Sequence, residues 1–276
     1  MKKPKSKAQL DAAIQRIAGT RTHDARYTGL RAVIADAVVG QMLPDCVIKG
    51  GGALKLRYGA QQARFTMDFD AASGMDVDSF VEASRVRLAA GWNDFSGTLS
   101  IERPASPDGV PADYVMQPFD VHLNYCGKAW CRVRLELSHD EIGDAEEAEM
   151  VPIASDIAAV FETLGFPTPR SVPLMPLKFQ LAQKLHGLSE PNSTRVRDLV
   201  DIQLMMRNSR IDLSEARPVC ERLFAYRKRQ AWPPEIKKGV GWDEQYAAQK
   251  YDLPVLETID AAIVWANELV QRIAKA

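Results

Sequence analysis

The chain has 276 residues, an ordinary globular composition and nearly balanced charge. Hydrophobic residues make up 46% and charged residues 26%, which excludes a disordered chain and is compatible with two domains or one enlarged domain. The net charge of −1 excludes a uniformly basic nucleic-acid-binding protein, and the four scattered cysteines do not predict a zinc or redox site.

No stretch of the sequence has the pattern of a secretory signal or a membrane span. The first ten residues are basic, but charged residues follow them instead of an apolar run. A membrane-spanning helix needs about 20 predominantly apolar residues, and no such run is present. The sequence therefore predicts a cytoplasmic protein.

The first predicted elements are helices, followed by a strand and a glycine turn. Apolar residues recur at helical spacing from Leu10 to Val39, which predicts one or two amphipathic helices. The β-branched run from Asp45 to Lys49 then leads through Gly50, Gly51 and Gly52 into a short helix. Such a turn exposes backbone N–H groups at the positive end of a helix, where the β- and γ-phosphates of a nucleotide can bind.

A second predicted strand, Phe65 to Asp70, carries two acidic side chains on one face. The period of two along a strand places Asp68 and Asp70 together, opposite Met67 and Phe69. Mg²⁺ prefers oxygen ligands, and two carboxylates leave its other coordination positions for phosphate oxygens and water. Either pattern alone is common, but the order strand, glycines, helix and DxD predicts a metal and nucleotide site.

Three more strands are predicted downstream. They cover Leu99–Ile101, Phe119–Asn124 and Ala129–Ser138, and the proline- and glycine-rich stretch Pro104–Pro111 is a predicted loop.

Glu136, in the last of these strands, is a candidate for a third carboxylate. Its side chain alternates with apolar neighbours, so it points away from the core, where it can act as general base toward an acceptor hydroxyl. Two alternatives remain open. Glu136 is instead an ion-pair partner of Arg132 or Arg134, or the third carboxylate is Asp120 in the preceding strand.

The second half of the chain is predicted to be a separate helical domain. Four prolines between Pro167 and Pro176 form a stiff connection, and apolar residues beyond them recur at helical spacing. We therefore predict an α/β domain with N-terminal helices at residues 1–168 and a helical domain at residues 169–276. The segment from Arg170 to Lys238 has fourteen Lys and Arg against seven Asp and Glu, so a polyanionic partner is expected on this half.

Five segments carry motifs of a known family: Val47–Leu54, Arg57–Gly59, Arg64–Asp70, Met175–His186 and Arg195–Asp201. They resemble those of the AbiEii toxin-like nucleotidyltransferases of type IV toxin–antitoxin and abortive-infection systems. The resemblance implies an α/β (α+β) polymerase-β-like fold, with a mixed sheet and a C-terminal helical bundle. It also implies an NTP with Mg²⁺ as donor, an RNA acceptor (the tRNA 3′ end in characterised relatives), and a cognate antitoxin as a partner.

The resemblance also assigns roles to residues in both halves. It supports Asp68 and Asp70 as metal ligands, and Lys184 as the cation that neutralises the triphosphate. Asp198 matches the family's motif aspartate. It either orients Lys184 or an arginine through a charge-assisted hydrogen bond, or forms an ordinary intrahelical ion pair. One departure is Gly52, because the family usually has Ser or Thr there, and the hydroxyl contact to phosphate is then missing.

Two other functions remain open at this stage. The acceptor can be a protein hydroxyl instead of RNA, or the chain can be a catalytically silent member of the fold that binds RNA or a partner. The departure at Gly52 favours the silent alternative.

Overall fold

The computed structural model describes residues 2–20, 24–104, 115–250 and 252–276. The chain forms two compact units. The first comprises Met1–Ala60, Phe65–Asp140 and Ala145–Leu174, and the second comprises Gln61–Arg64, Glu141–Asp144 and Met175–Ala276. The domain boundary after residue 168 remains a prediction, and most of the predicted loop Pro104–Pro111 lies outside the described residues.

The first unit is a mixed sheet with helices. Its helices are α1 (Lys7–Ala18), α2 (Ala25–Gly40), α3 (Gly50–Tyr58), α4 (Val77–Ala90) and α5 (Ser155–Thr163). Its strands are β1 (Val47–Lys49), β2 (Asp68–Ser73), β3 (Phe95–Ile101), β4 (Gln117–Tyr125), β5 (Lys128–His139), β6 (Glu149–Val151) and β7 (Val172–Leu174). The predicted α/β class with a mixed sheet is confirmed.

Strand β2 lies inside the sheet, whose order is β3-β4-β5-β2-β1-β7-β6. It pairs in parallel with β5 and antiparallel with β1. Alternate residues of β2, β4 and β5 bury one face, including Phe69, Phe119 and Leu135. Phe80 of α4 packs on that face, with its ring centroid 5.9 Å from that of Phe119. Burial of each such side chain contributes about 2 kcal/mol to the stability of the fold. This face therefore forms the core, and the opposite face carries polar groups.

The helices predicted at the N-terminus are confirmed as α1 and α2. Both begin at a side-chain cap, since Ser6 accepts a hydrogen bond from the Gln9 N–H and Asp24 accepts one from the Arg26 N–H. The caps fix where each helix begins.

Three local predictions differ from the structure. Strand β2 begins at Asp68, not Phe65, because the chain just before it is held by a side chain: Lys55 Nζ donates to the Thr66 carbonyl at 3.2 Å. The three glycines form the first turn of α3 and not a separate loop, because Gly50 makes the turn by itself at φ +66. The proline-rich connection contains β7, which pairs with both β1 and β6.

The second unit is helical, as predicted. Its helices are α6 (Leu177–Ser189), α7 (Val196–Asn208), α8 (Leu213–Arg227), α9 (Trp242–Gln249) and α10 (Ile259–Lys275). Its core includes Phe179, Leu185, Leu199, Leu223 and Trp242, all almost completely buried. Within the described ranges, none of the helices of either unit is long and apolar enough to cross a membrane.

Candidate active site

The polar face of the sheet in the first unit carries the two predicted metal ligands. Asp68 and Asp70 are half-buried and share this face, while Phe69 between them is buried in the core. Two residues apart on one strand, their Cα atoms lie about 6.6 Å from each other. The alternation predicted from sequence is therefore present, and both carboxylates stand on a strand that has partners on both sides.

Asp70 lies against the first residue of α3. A Cβ atom on Gly50 would overlap Oδ2 of Asp70, and Gly50 also has a positive φ of +66. Both features restrict this position to glycine. Its neighbour Lys49 provides no side-chain cap for α3, so the carboxylate of Asp70 stands at the positive end of a short helix.

The other two glycines have ordinary backbone geometry. Gly51 and Gly52 are buried in the first turn of α3. A Cβ atom on Gly52 would have its nearest neighbour, the Asp68 carbonyl oxygen, at 3.5 Å, which is normal van der Waals contact. Steric crowding therefore does not explain the absence of Ser or Thr at position 52.

Glu136 lies directly beside Asp70. The parallel pairing of β2 and β5 makes these two residues partners, with Cα atoms about 4.8 Å apart. Asp120, the alternative third carboxylate, is on β4, which is one strand farther from β2. It is in register with Arg134. The register therefore favours Glu136 as the third carboxylate.

Both rivals are also ion-pair partners. Arg134 Nε lies 3.2 Å from Glu136 Oε1, and Arg132 Nη1 lies 3.0 Å from Asp120 Oδ2. The pair that contains Glu136 runs along one strand and is not cross-strand. The arginine ends of both pairs are exposed, whereas the side chains of Asp120 and Glu136 are 13% and 29% exposed.

The donor set fits a hard divalent cation. Asp68, Asp70 and Glu136 offer only oxygen, the ligand that Mg²⁺ prefers. Throughout the described ranges, however, no three His, Cys, Asp or Glu side chains converge on one point. The type of donor atom fits the ion, and phosphate oxygens and water would provide the remaining ligands of a bound Mg²⁺.

Lys49 is a buried cation beside these carboxylates. It is the Cα partner of Asp70 across β1 and β2, and its Nζ donates to Ser138 Oγ at 2.6 Å. Sequence reasoning gave Lys49 no role, although its place immediately before the glycines was a readable signal.

In the second unit, Lys184 lies at the centre of a buried charge cluster. Its Nζ donates to Asp198 Oδ1 at 3.0 Å and to Asp201 Oδ2 at 2.7 Å. Arg195 Nε donates to Asp198 at 2.6 Å, and Arg64 Nε lies 3.0 Å from Asp201 Oδ1. Three cations thus surround two carboxylates, and the expected contact between Asp198 and Lys184 is present.

The cluster also fixes the ionisation of Asp198. Burial alone raises the pKa of this carboxyl, but Lys184 and Arg195 lower it by more, so the pKa falls well below its usual value. Asp198 is therefore ionised at neutral pH despite being fully buried.

Arg64 is a member of this cluster that sequence reasoning missed. It belongs to the second unit, yet it precedes Asp68 by only four residues. No local pattern indicated its partner, because Asp201 is far away in sequence. The cluster thus joins Arg64 to α7 within the second unit.

Comparison with protein families identifies the chain. The model of the family "Nucleotidyl transferase AbiEii toxin, Type IV TA system" matches residues 31–267, which contain every site residue described above. The chain belongs to this family. The resemblance read from its motifs is thereby confirmed, and nucleotidyl transfer is the activity for which the AbiEii family is named. No curated protein matches the sequence.

Two solved structures are similar to this AbiEii family member. MenT4, a nucleotidyltransferase toxin from Mycobacterium tuberculosis H37Rv, matches with a TM-score of 0.57 and 16% identity over 96% of this chain and 92% of that one. JHP933 from Helicobacter pylori matches with a TM-score of 0.47 and 14% identity, over 91% of this chain and 93% of that one. The MenT4 match supports the predicted nucleotidyltransferase fold.

Proposed function

We propose that this protein transfers a nucleotide from a magnesium-bound NTP to an RNA acceptor, the 3′ end of tRNA. The observation that carries the proposal is the arrangement of Asp68, Asp70 and Glu136 on one sheet face, with Asp70 at the N-terminus of α3. Family membership supports the reaction class.

Asp68 and Asp70 would hold Mg²⁺. When bound there, the ion supplies positive charge that neutralises the triphosphate and makes the α-phosphorus accessible to a nucleophile. The backbone N–H groups of Gly51 and Gly52, in the first turn of α3, are the proposed donors to the β- and γ-phosphates.

The proposed reaction is an in-line substitution at the α-phosphorus. The acceptor hydroxyl oxygen forms a bond to phosphorus, the bond from phosphorus to the pyrophosphate oxygen breaks, and pyrophosphate leaves. Glu136 takes the hydroxyl proton. Lys49, whose Nζ reaches Ser138 on β5, would stabilise the negative charge of Asp70, its register partner.

Lys184 and Asp198 take part through their buried cluster. Direct neutralisation of the triphosphate by Lys184 was the expectation from the family. Its contacts to Asp198 and Asp201 support a positioning role, in which Lys184 holds Asp201 and thereby Arg64, just upstream of the metal ligands.

The proposal is tested by incubating the protein with each labelled NTP, Mg²⁺ and total tRNA. We expect label on tRNA with one or more NTPs, located at the 3′ end by nuclease digestion, and none with Asp68→Ala. Absence of transfer by the wild type, or equal transfer by Asp68→Ala, would reject it. A protein gel of the same reactions tests the alternative acceptor, a protein hydroxyl.

The catalytically silent alternative rests on Gly52. Calorimetric titration of NTP with Mg²⁺ separates it from the enzyme, because a fold that has lost its phosphate site gives no metal-dependent heat. We expect metal-dependent binding.

We further propose that the protein acts as a toxin with a cognate antitoxin, as the family description implies. Expression of the wild type should arrest bacterial growth, and expression of Asp68→Ala should not. Co-expression of the adjacent gene should restore growth if it encodes the antitoxin.

A further inference from the structure

The polar face of the sheet carries a second group of residues beside the metal ligands. Along β5, Arg134 and Arg132 alternate outward from Glu136 on this face. Arg134 lies in register between Asp68 on β2 and Asp120 on β4, and Arg132 is the register partner of His122. We call Arg134, Arg132 and His122 the basic ladder.

The order of strands indicates on which side of β2 each substrate would bind. Helix α3, whose N-terminus is the proposed phosphate site, follows β1 on one side of β2. Strands β5 and β4 lie on the other side, where Glu136 stands as the proposed acceptor of the hydroxyl proton. The triphosphate therefore belongs to the β1 side of Asp68 and Asp70, and the acceptor belongs to the β5 side.

The ladder side chains are open to solvent. The side chains of Arg132 and Arg134 are 67% and 61% exposed, and His122 is exposed too. Each arginine forms an ion pair with one carboxylate. A guanidinium has five N–H donors, however, and can bind a carboxylate and a phosphate at the same time. Because the arginine ends of both pairs are exposed, phosphate oxygens can reach the same donors.

We propose that the basic ladder binds backbone phosphates of the acceptor RNA and directs its terminal hydroxyl toward Glu136. This inference rests on the proposed function and names the surface that the acceptor uses. It adds a contact region in the first unit to the basic helical half expected from the sequence. Asp120, which holds Arg132, then acts against RNA binding.

The test measures RNA binding without NTP, by fluorescence anisotropy of labelled tRNA and the full-length protein. Arg132→Gln and Arg134→Gln are each expected to weaken binding roughly tenfold, the equivalent of one charge-assisted hydrogen bond. Each should also make the slope of log affinity against log salt shallower by about 1. Asp120→Asn should tighten binding.

Arg85→Gln is the matched control. It removes the same charge from α4, the helix whose Phe80 packs on the opposite, apolar face, and its side chain is 56% exposed. We expect RNA affinity equal to that of the wild type. Thermal unfolding of all variants checks that they are folded.

Several outcomes would overturn the inference. These are ladder variants that bind RNA like Arg85→Gln, a wild type that binds no RNA, weaker or unchanged binding by Asp120→Asn, and lost affinity for Mg-NTP with RNA binding intact. The last result would mean that the ladder holds the donor triphosphate.

The two proposals fail separately. Ladder-dependent RNA binding without any nucleotide transfer would reject the proposed function alone. Transfer to RNA that does not depend on the ladder would reject this inference alone.

Discussion

At the scale of single residues, burial decides what a charged side chain can do. Lys184 is 5% exposed, and two of its three N–H donors are taken by Asp198 and Asp201. Asp68 and Asp70 are only half-buried. The carboxylates therefore remain accessible to a substrate, whereas the ammonium group of Lys184 is part of the protein interior.

Replacing Lys184 should cost stability. Lys184→Ala leaves Asp198 and Asp201 with one cation fewer in a buried site, so the free energy of unfolding should fall by about 3 kcal/mol. Denaturant unfolding measures this, with the exposed Lys237→Ala as a control near zero. An unchanged stability with a raised KM for NTP would show instead that Lys184 binds the triphosphate directly.

The two rival third carboxylates should differ in kcat. Glu136→Gln removes the proposed general base beside Asp70, so kcat should fall about 10² to 10⁴-fold. Asp120→Asn, one strand away, should change kcat far less. Steady-state transfer assays decide the point, and the reverse order of the two effects would assign the base to Asp120.

At the scale of elements, the junction of β1, α3 and β2 sets the geometry of the site. The sequence predicted this junction well, because β-branched residues, three glycines and alternating aspartates are local signals. No local signal indicated that Asp70 and Glu136 are neighbours in the sheet. It depends on strands that are 66 residues apart in sequence, and only the register of the folded sheet brings them together.

Two glycine substitutions in α3 test two features separately: the position of the Asp70 carboxylate and the contact to phosphate. Gly50→Ala should abolish most transfer, because its Cβ would displace the Asp70 carboxylate and its φ is positive. Gly52→Ser should be tolerated and should lower the KM for NTP, since a Cβ atom there makes only ordinary van der Waals contact and a hydroxyl can donate to phosphate. Transfer kinetics of the two variants test both statements.

Two results would contradict the roles given to these glycines. Full activity of Gly50→Ala would mean that the contact between Gly50 and Asp70 does not matter. A loss of activity in Gly52→Ser would mean that the glycine is required there.

At the scale of the whole molecule, the sequence predicted the helices of the second half. It did not predict that two short segments from the first half belong to the helical unit. Leucine spacing indicated the helices, but nothing local showed that Gln61–Arg64 and Glu141–Asp144 belong to the second unit. Arg64 joins Asp201 there, and Glu141 forms an ion pair with Arg227 at 2.7 Å. Long-range ion pairs of this kind have no sequence periodicity that predicts them.

The stability of the protein should fall with acidity. His186 is fully buried, and burial, with Arg227 nearby, lowers its pKa from 6.5 to about 3. Between those values the unfolded chain binds a proton that the folded protein does not, so the free energy of unfolding decreases as pH falls below about 6.5. The slope from this group is up to about 1.4 kcal/mol per pH unit.

His186→Gln should flatten that dependence. Denaturant unfolding at pH 7, 6 and 5 measures the difference in slope between the wild type and the variant. Identical slopes would mean that His186 does not remain neutral in the folded protein.

The central claim is that Asp68 and Asp70 bind the metal of a metal–NTP complex. Electron paramagnetic resonance of Mn²⁺ with NTP measures this binding directly and needs neither turnover nor a known acceptor. Mn²⁺–NTP should bind the wild type, and Asp68→Asn and Asp70→Asn should each weaken binding at least tenfold while remaining folded. Equal binding by all three proteins would contradict the account.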